Sequence, residues 1–196
     1  MFRLLNQVRW FSSSESLFCN VVARDCLDKA LLHNWLTDKR SLTRKLESYF
    51  KEGIQVRCVL KGFGKPLPNE CRLLKKQISR ASAFVREVQI SLAGEPILIA
   101  RTVMLNHSLT GRHHCIYKLR HQSIGKIIFS DPHWRRSWSA FGVVPLTNPS
   151  VATKKEPKIY GRQSIFIFRK KELLITEFFL PAFWQKLKEK KIGNNQ

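Results

Sequence analysis

The sequence predicts an α+β fold: one domain over residues 1–196, a mainly antiparallel sheet with flanking helices. Three observations predict it. Apolar residues recur at helical spacing near the front of the chain. Beyond Gly53 the period drops to two. Short turns then join successive period-two runs into hairpins.

Asp25 is placed to cap a first helix over about residues 26–37, where Leu27, Leu31 and Trp35 recur with Leu32 and Leu36 beside them. Ser41 caps a second, which carries Leu42, Leu46, Tyr49 and Phe50 on one side. Gly53 is its natural stop, since a C-terminal cap favours positive φ. Ile54, Val56, Cys58 and Leu60 alternate with Gln55, Arg57 and Lys61, the pattern of a strand with one buried face. Pro66 and Pro68 mark a loop. Phe84–Leu92 and Ile97–Met104 form a hairpin across the turn that runs from Ala93 to Pro96. A second hairpin pairs Ser164–Phe168 with Leu173–Leu180, turns around Lys170 and Lys171, and ends at Pro181. Residues 182–196 are a basic tail, helical from Trp184 to Lys191. Between Ser130 and Tyr160, Pro132, Pro145, Pro149 and Pro157 break the pattern into part strand and part exposed loop.

Apolar residues make up 43% of the 196 and charged residues 25%, a balance that folds without help. No apolar run reaches the ~18 residues a membrane span needs. Lys plus Arg number 35 against 14 Asp plus Glu, a formal charge of +21. That excludes a protein selected to avoid polyanions, without proving a nucleic-acid binder. Cys19, Cys26, Cys58, Cys71 and Cys115 are odd in number and scattered, with no CxxC pair. They argue against a disulfide framework or zinc ribbon and for a reducing, cytoplasmic setting. Cys26 and Cys58 fall on apolar faces and read as core. His113, His114 and Cys115 are adjacent and cannot all reach one ion from a regular element, so no metal is expected. The first 24 residues hold Arg3, Arg9 and Arg24 against Glu15, with serines at 12–14. That is the composition of a mitochondrial presequence or of an ordinary N-terminal segment of a basic protein.

Strand alternation exposes charges in apolar places. Arg86 shares a face with Phe84, Val88, Ile90 and Leu92. Glu177 sits among Leu173, Ile175 and Phe179, and the opposite face of that strand is also mostly apolar. Arg101 lies inside ILIARTVM. A lone buried charge costs several kcal/mol unless it is paired or shifts its pKa. Two readings follow: a buried Arg–Glu pair, or a closed pocket for a small anionic or hydroxylated ligand. Two arginines against one carboxylate leave spare positive charge, which favours an anion held in a guanidinium fork.

The same positions carry a family resemblance. VRW near the start, WLTDKRSLTRKLE, FVREVQISLAGEPILIARTV, KLRHQSIGKIIF, YGRQS and LLITEFFLPAFW run in order from about Val8 to Trp184. Together they resemble the chorismate pyruvate-lyase family. The resemblance implies an antiparallel sheet with flanking helices around the ligand. It also implies a cofactor-independent carbon–oxygen lyase that removes pyruvate from chorismate to give 4-hydroxybenzoate for ubiquinone biosynthesis. By resemblance, Arg86 of VREV holds the ligand carboxylate and Glu177 faces its hydroxyl end. Leu42, after the serine of SLT, and Ile124, before the glycine of the segment that reads SIG here and PLG in the family, line the site through their backbones. Arg101 of ART is a further carboxylate contact, and catalysis rests on Glu177, Arg86 and Arg101. No metal, cofactor or specific nucleic acid is implied, and a monomer is expected. VRW then belongs to the domain's own beginning. The chain departs from the family at Leu105, Arg120, Ser123 and Gln163, where proline, glycine, proline and arginine are usual.

Two other classes compete. A nucleic-acid module would use the +21 charge, the basic tail, and Trp134, Arg135, Arg136 and Trp138 as a stacking patch. Against it, the basic residues are spread along the chain without a recognised motif. A non-catalytic sensor would bind an aromatic acid and leave it unchanged.

Overall fold

The computed structural model describes residues 8–12, 28–51, 53–75, 82–145 and 158–193. Its strands are β1 (Arg9–Ser12), β2 (Ile54–Gly64), β3 (Ala83–Leu92), β4 (Glu95–Leu105), β5 (Trp134–Pro145), β6 (Lys158–Phe168) and β7 (Lys171–Phe179). They form one sheet in the order β1-β5-β6-β7-β4-β3-β2, and every neighbouring pair is antiparallel. The helices are α1 (Lys29–Thr37), α2 (Leu42–Phe50), α3 (Pro68–Leu73), α4 (His114–Lys118), α5 (Gly125–Ile128) and α6 (Pro181–Gly193). The α+β class therefore holds.

Local chemistry sets the ends. α1 begins at Lys29 because Asp28 is its cap, with Oδ1 accepting from the backbone N–H of Ala30 and Leu31 at 3.0 and 3.3 Å. Residues 25–27, where the sequence places the start, lie outside the described residues. Ser41 caps α2, its Oγ accepting from Arg44 N–H. Lys51, with φ +68°, closes that helix two residues before Gly53, which is itself at +82°. Ala93 and Gly94 both take positive φ, the two-residue turn whose twist matches a hairpin. α6 starts at Pro181, three residues earlier than predicted, because a proline's fixed φ and missing N–H suit the first helical turn. Arg9–Ser12 forms the sheet's edge strand against β5. No helix is long and apolar enough to cross a membrane among the described residues.

Three bulges alter the predicted alternation. One extra residue moves everything beyond it to the other face. In β2, Cys58 pairs with Val88 but Leu60 with Glu87, so Val59 is the insertion. Leu60 leaves the Cys58 face and stands 47% exposed. In β4, Ser91 pairs with Pro96 and Ile90 with Leu98, so Ile97 is extra. In β5, Phe166 pairs with Arg136 and Ile165 with Trp138, which inserts Ser137.

One face of the sheet carries two apolar clusters. At one end α1, α2 and α6 bring Leu32, Trp35, Leu36, Leu46 and Phe183 onto Ile90, Leu98 and Phe179. At the other, Ile116, Ile124 and Ile128 of the α4–α5 segment pack on Phe84, Phe166 and Ile175. Each large side chain so buried stabilises the fold by roughly 1.5–3 kcal/mol. Between the clusters the face is not filled, and there Arg86 and Glu177 stand.

Candidate active site

The space between the clusters is a cavity of about 40 Å³, walled by both sheet and helices. The sheet contributes Arg86, Val88 and Ile90 from β3, Ala100 and Thr102 from β4, and Ile175 and Glu177 from β7. α2 contributes Leu42 and Thr43, and the turn before α5 contributes Ser123 and Ile124. Leu42 and Ile124 on the helical side thus face Arg86 and Glu177 on the sheet across one cavity.

Arg86 is 1% exposed. Its Nη2 donates to the backbone carbonyls of Arg120 and Gln122 at 2.9 and 2.7 Å. The Nε hydrogen is buried without a partner among the described residues. Burial pushes the guanidinium below its ordinary pKa, and Cys58 partly offsets that. The Arg120–Gln122 backbone therefore rests on the side chain expected to grip a ligand.

Glu177 pairs across the strands with Arg162, whose Nε donates to Glu177 Oε2. Arg162 is also 1% exposed. Its Nη1 donates to Asp38 O at 2.8 Å, just past the C-terminal turn of α1, where backbone carbonyls favour a cation. A third guanidinium, Arg136, reaches Asp38 O at 3.3 Å and stacks over the Phe166 ring at 4.9 Å. Its Nε is also buried and unpartnered among the described residues. Burial first, then the neighbouring Arg162 charge, push its pKa down to about 10. Three guanidiniums and one carboxylate face a single closed space.

Arg101 does not join them. Its Nε and Nη2 donate to Glu70 Oε1 and Oε2 at 2.7 and 3.1 Å, and Nη1 donates to Glu87 Oε1 at 2.6 Å. Glu87 and Arg101 are direct cross-strand partners on the reverse face. Burial alone would lower the Arg101 pKa, but the hydrogen bonds to the two carboxylates outweigh it and raise it. Its expected contact with a ligand carboxylate is corrected to a structural triad that ties α3 to the sheet. The β4 bulge is the cause: counted from the turn alone, Arg101 would stand opposite Arg86. Arg101→Ala strands Glu70, 0% exposed, without its cation. We expect a stability loss of about 3–5 kcal/mol in denaturant unfolding, with the specific activity of the folded fraction retained. Arg101→Lys should recover part of the stability. Activity lost at unchanged stability would return Arg101 to the site.

The sequence reading placed Arg136 only in a possible nucleic-acid patch and passed over Arg162. Arg162 had a usable signal, since it alternates with Tyr160, Ser164 and Phe166 along a strand buried on both faces. The tryptophan patch also dissolves. Trp134 is buried with the α4–α5 cluster, while the Ser137 bulge turns Trp138 to the reverse face.

An antiparallel sheet packed over a cavity that holds excess buried guanidinium defines a class of site, one that can receive a small anion. The whole chain narrows that class. Residues 5–189 match the family model for chorismate lyase, and the chain belongs to that family. It is 32% identical to a probable chorismate pyruvate-lyase of Alcanivorax borkumensis over 80% of this chain and 72% of that protein. It is 30% identical to one of Methylococcus capsulatus over 77% of this chain and 95% of that protein. Among solved structures it is similar to a possible transcriptional regulator, YydK, of Bacillus subtilis, with a TM-score of 0.49 and 12% identity over 70% of this chain and 60% of that one.

Proposed function

We propose that this protein is a chorismate pyruvate-lyase that needs no metal or cofactor and releases 4-hydroxybenzoate, the ring precursor of ubiquinone. The observation that carries the reading is the cavity's charge: Arg86, Arg136 and Arg162 against Glu177 alone. Chorismate is a dianion with a ring hydroxyl, and it matches that excess. In the reaction the ring–oxygen ether bond breaks. The proton on the hydroxyl-bearing carbon leaves, and its electron pair completes the aromatic ring. The departing enolpyruvate takes a proton at its methylene carbon and becomes pyruvate. Aromatisation drives this, so the protein must orient, stabilise charge and help one proton move.

Arg86 anchors the ring carboxylate through a charge-assisted hydrogen bond from Nε. Arg136 meets the charge that grows on the enolpyruvyl group. Glu177 takes the ring hydroxyl and assists the proton, with Arg162 holding the carboxylate in place. Leu42 and Ile124 close the ring's flanks. At about 40 Å³ the cavity is far below the roughly 300–1,000 Å³ of small-molecule sites, so a ring acid enters only when wall elements part. The test is direct. Purified protein is mixed with chorismate in the presence of a chelator, with 4-hydroxybenzoate followed by absorbance and pyruvate by a coupled assay. Equal yields of both products are expected. Tight binding of 4-hydroxybenzoate without turnover would make the protein a sensor instead.

A further inference from the structure

Beside the cavity lies a much larger groove of about 930 Å³. Lys39, Arg40, Arg44, Lys45, Lys51 and Lys190 line it, and no acidic side chain does among the described residues. Asp38 engages two of the six, Arg40 at 2.7 Å and Lys45 at 2.8 Å. Lys39, Arg44, Lys51 and Lys190 have no ion-pair partner among the described residues. Lys190 instead lies over the rings of Tyr49 and Phe50, at 5.4 and 5.5 Å. Crowding these cations costs folding free energy through mutual repulsion.

Groove and cavity share a wall. Ser41 and Phe129 line both. Side chains alone close the seam between α2 and the turn before α5 there: Thr43 Oγ1 and Ser123 Oγ meet at 2.7 Å, and a Cβ on Gly125 would lie 3.0 Å from Ser41 Oγ. We propose that the groove is an outer anion-binding site, which collects a small dianionic ring acid and passes it across the Ser41–Phe129 wall into the cavity. The inference rests on the activity proposed above and adds where its substrate first binds. A concave surface of one charge sign raises the local concentration of counter-ions and their rate of capture by 10 to 10³ fold. The groove's volume falls in the range of small-molecule sites, about 300–1,000 Å³, which favours a small anion over a polymer.

The test compares the wild type with Arg44→Gln/Lys51→Gln/Lys190→Gln and with a control that removes the same charge elsewhere, Lys61→Gln/Lys65→Gln/Lys118→Gln. Association and dissociation rates of isophthalate, an unreactive dianionic ring acid, are measured by stopped-flow tryptophan fluorescence. Salt is varied from about 20 to about 300 mM, across which the Debye length falls from about 20 to about 6 Å. The groove variant should associate about tenfold more slowly at low salt, lose most of its salt dependence and keep its dissociation rate. The control should behave as wild type. KM for chorismate should rise by a similar factor. Because isophthalate is not turned over, its rates still decide the matter if chorismate proves not to be a substrate. Equal association rates in groove variant and control overturn the proposal. So does groove-dependent binding of a single-stranded oligonucleotide with isophthalate kinetics unchanged, which would make the groove a nucleic-acid surface.

Discussion

Glu177→Gln is expected to lower the saturated rate of pyruvate release by about 10³-fold, within the 10²–10⁴ range for a group that moves a proton in the rate-limiting step. The amide keeps the shape of the side chain and accepts a hydrogen bond, but it takes up no proton at neutral pH. Arg162 complicates the reading. It is buried, and Glu177 is the carboxylate it pairs with. Replacing that carboxylate leaves Arg162 with the backbone carbonyl of Asp38 as its close partner. A stability loss of about 3–5 kcal/mol accompanies an uncompensated buried charge. Denaturant unfolding must therefore be measured beside single-turnover chemistry on protein shown to be folded. The double variant Glu177→Gln/Arg162→Met separates the two effects, because it removes the stranded charge. It should regain stability and remain inactive. If it turns over chorismate near the wild-type rate, Glu177 acts through the fold and not on the substrate.

What could be read from the chain follows from what period two conveys. Along an uninterrupted strand it assigns faces, so Arg86 with Val88 and Ile90, and Glu177 with Ile175, fall together without a structure. A bulge erases that information, because one unpaired residue reverses every assignment beyond it. The Ile97 bulge sent Arg101 to Glu70 and Glu87. The Ser137 bulge separated Arg136 from Trp138, so a run that reads as a basic aromatic surface delivers one guanidinium to the cavity. The expected surplus of positive charge is present, but different side chains supply it. The α4–α5 segment is hidden for another reason. Its helices span only five and four residues, too short to show a period, and Arg86 holds the backbone between them from within the cavity.

Arg86→Lys is expected to lower kcat/KM for chorismate by about 10²–10³-fold, the scale of losing one partner of a buried, hydrogen-bonded charge pair. Charge is conserved in this substitution, but the planar fork is not. An ammonium on a four-carbon stem is a single compact donor point, whereas the guanidinium holds the carbonyls of Arg120 and Gln122 through Nη2 and still offers a second, differently placed donor at Nε. The loss therefore has two sources, a loosened wall and a missing carboxylate contact. They respond differently to the ligand. A loosened wall weakens every ring compound that enters the cavity, whereas a missing contact weakens only those with a carboxylate. Affinities for 4-hydroxybenzoate and for 4-hydroxybenzamide, the same ring without the charge, discriminate between them by calorimetry. The wild type should prefer the acid strongly, and Arg86→Lys should compress that preference by at least tenfold, about 1.4 kcal/mol. An undiminished preference would assign the carboxylate to another cation on the same wall, with Arg136, whose buried Nε also lacks a partner among the described residues, the first to replace.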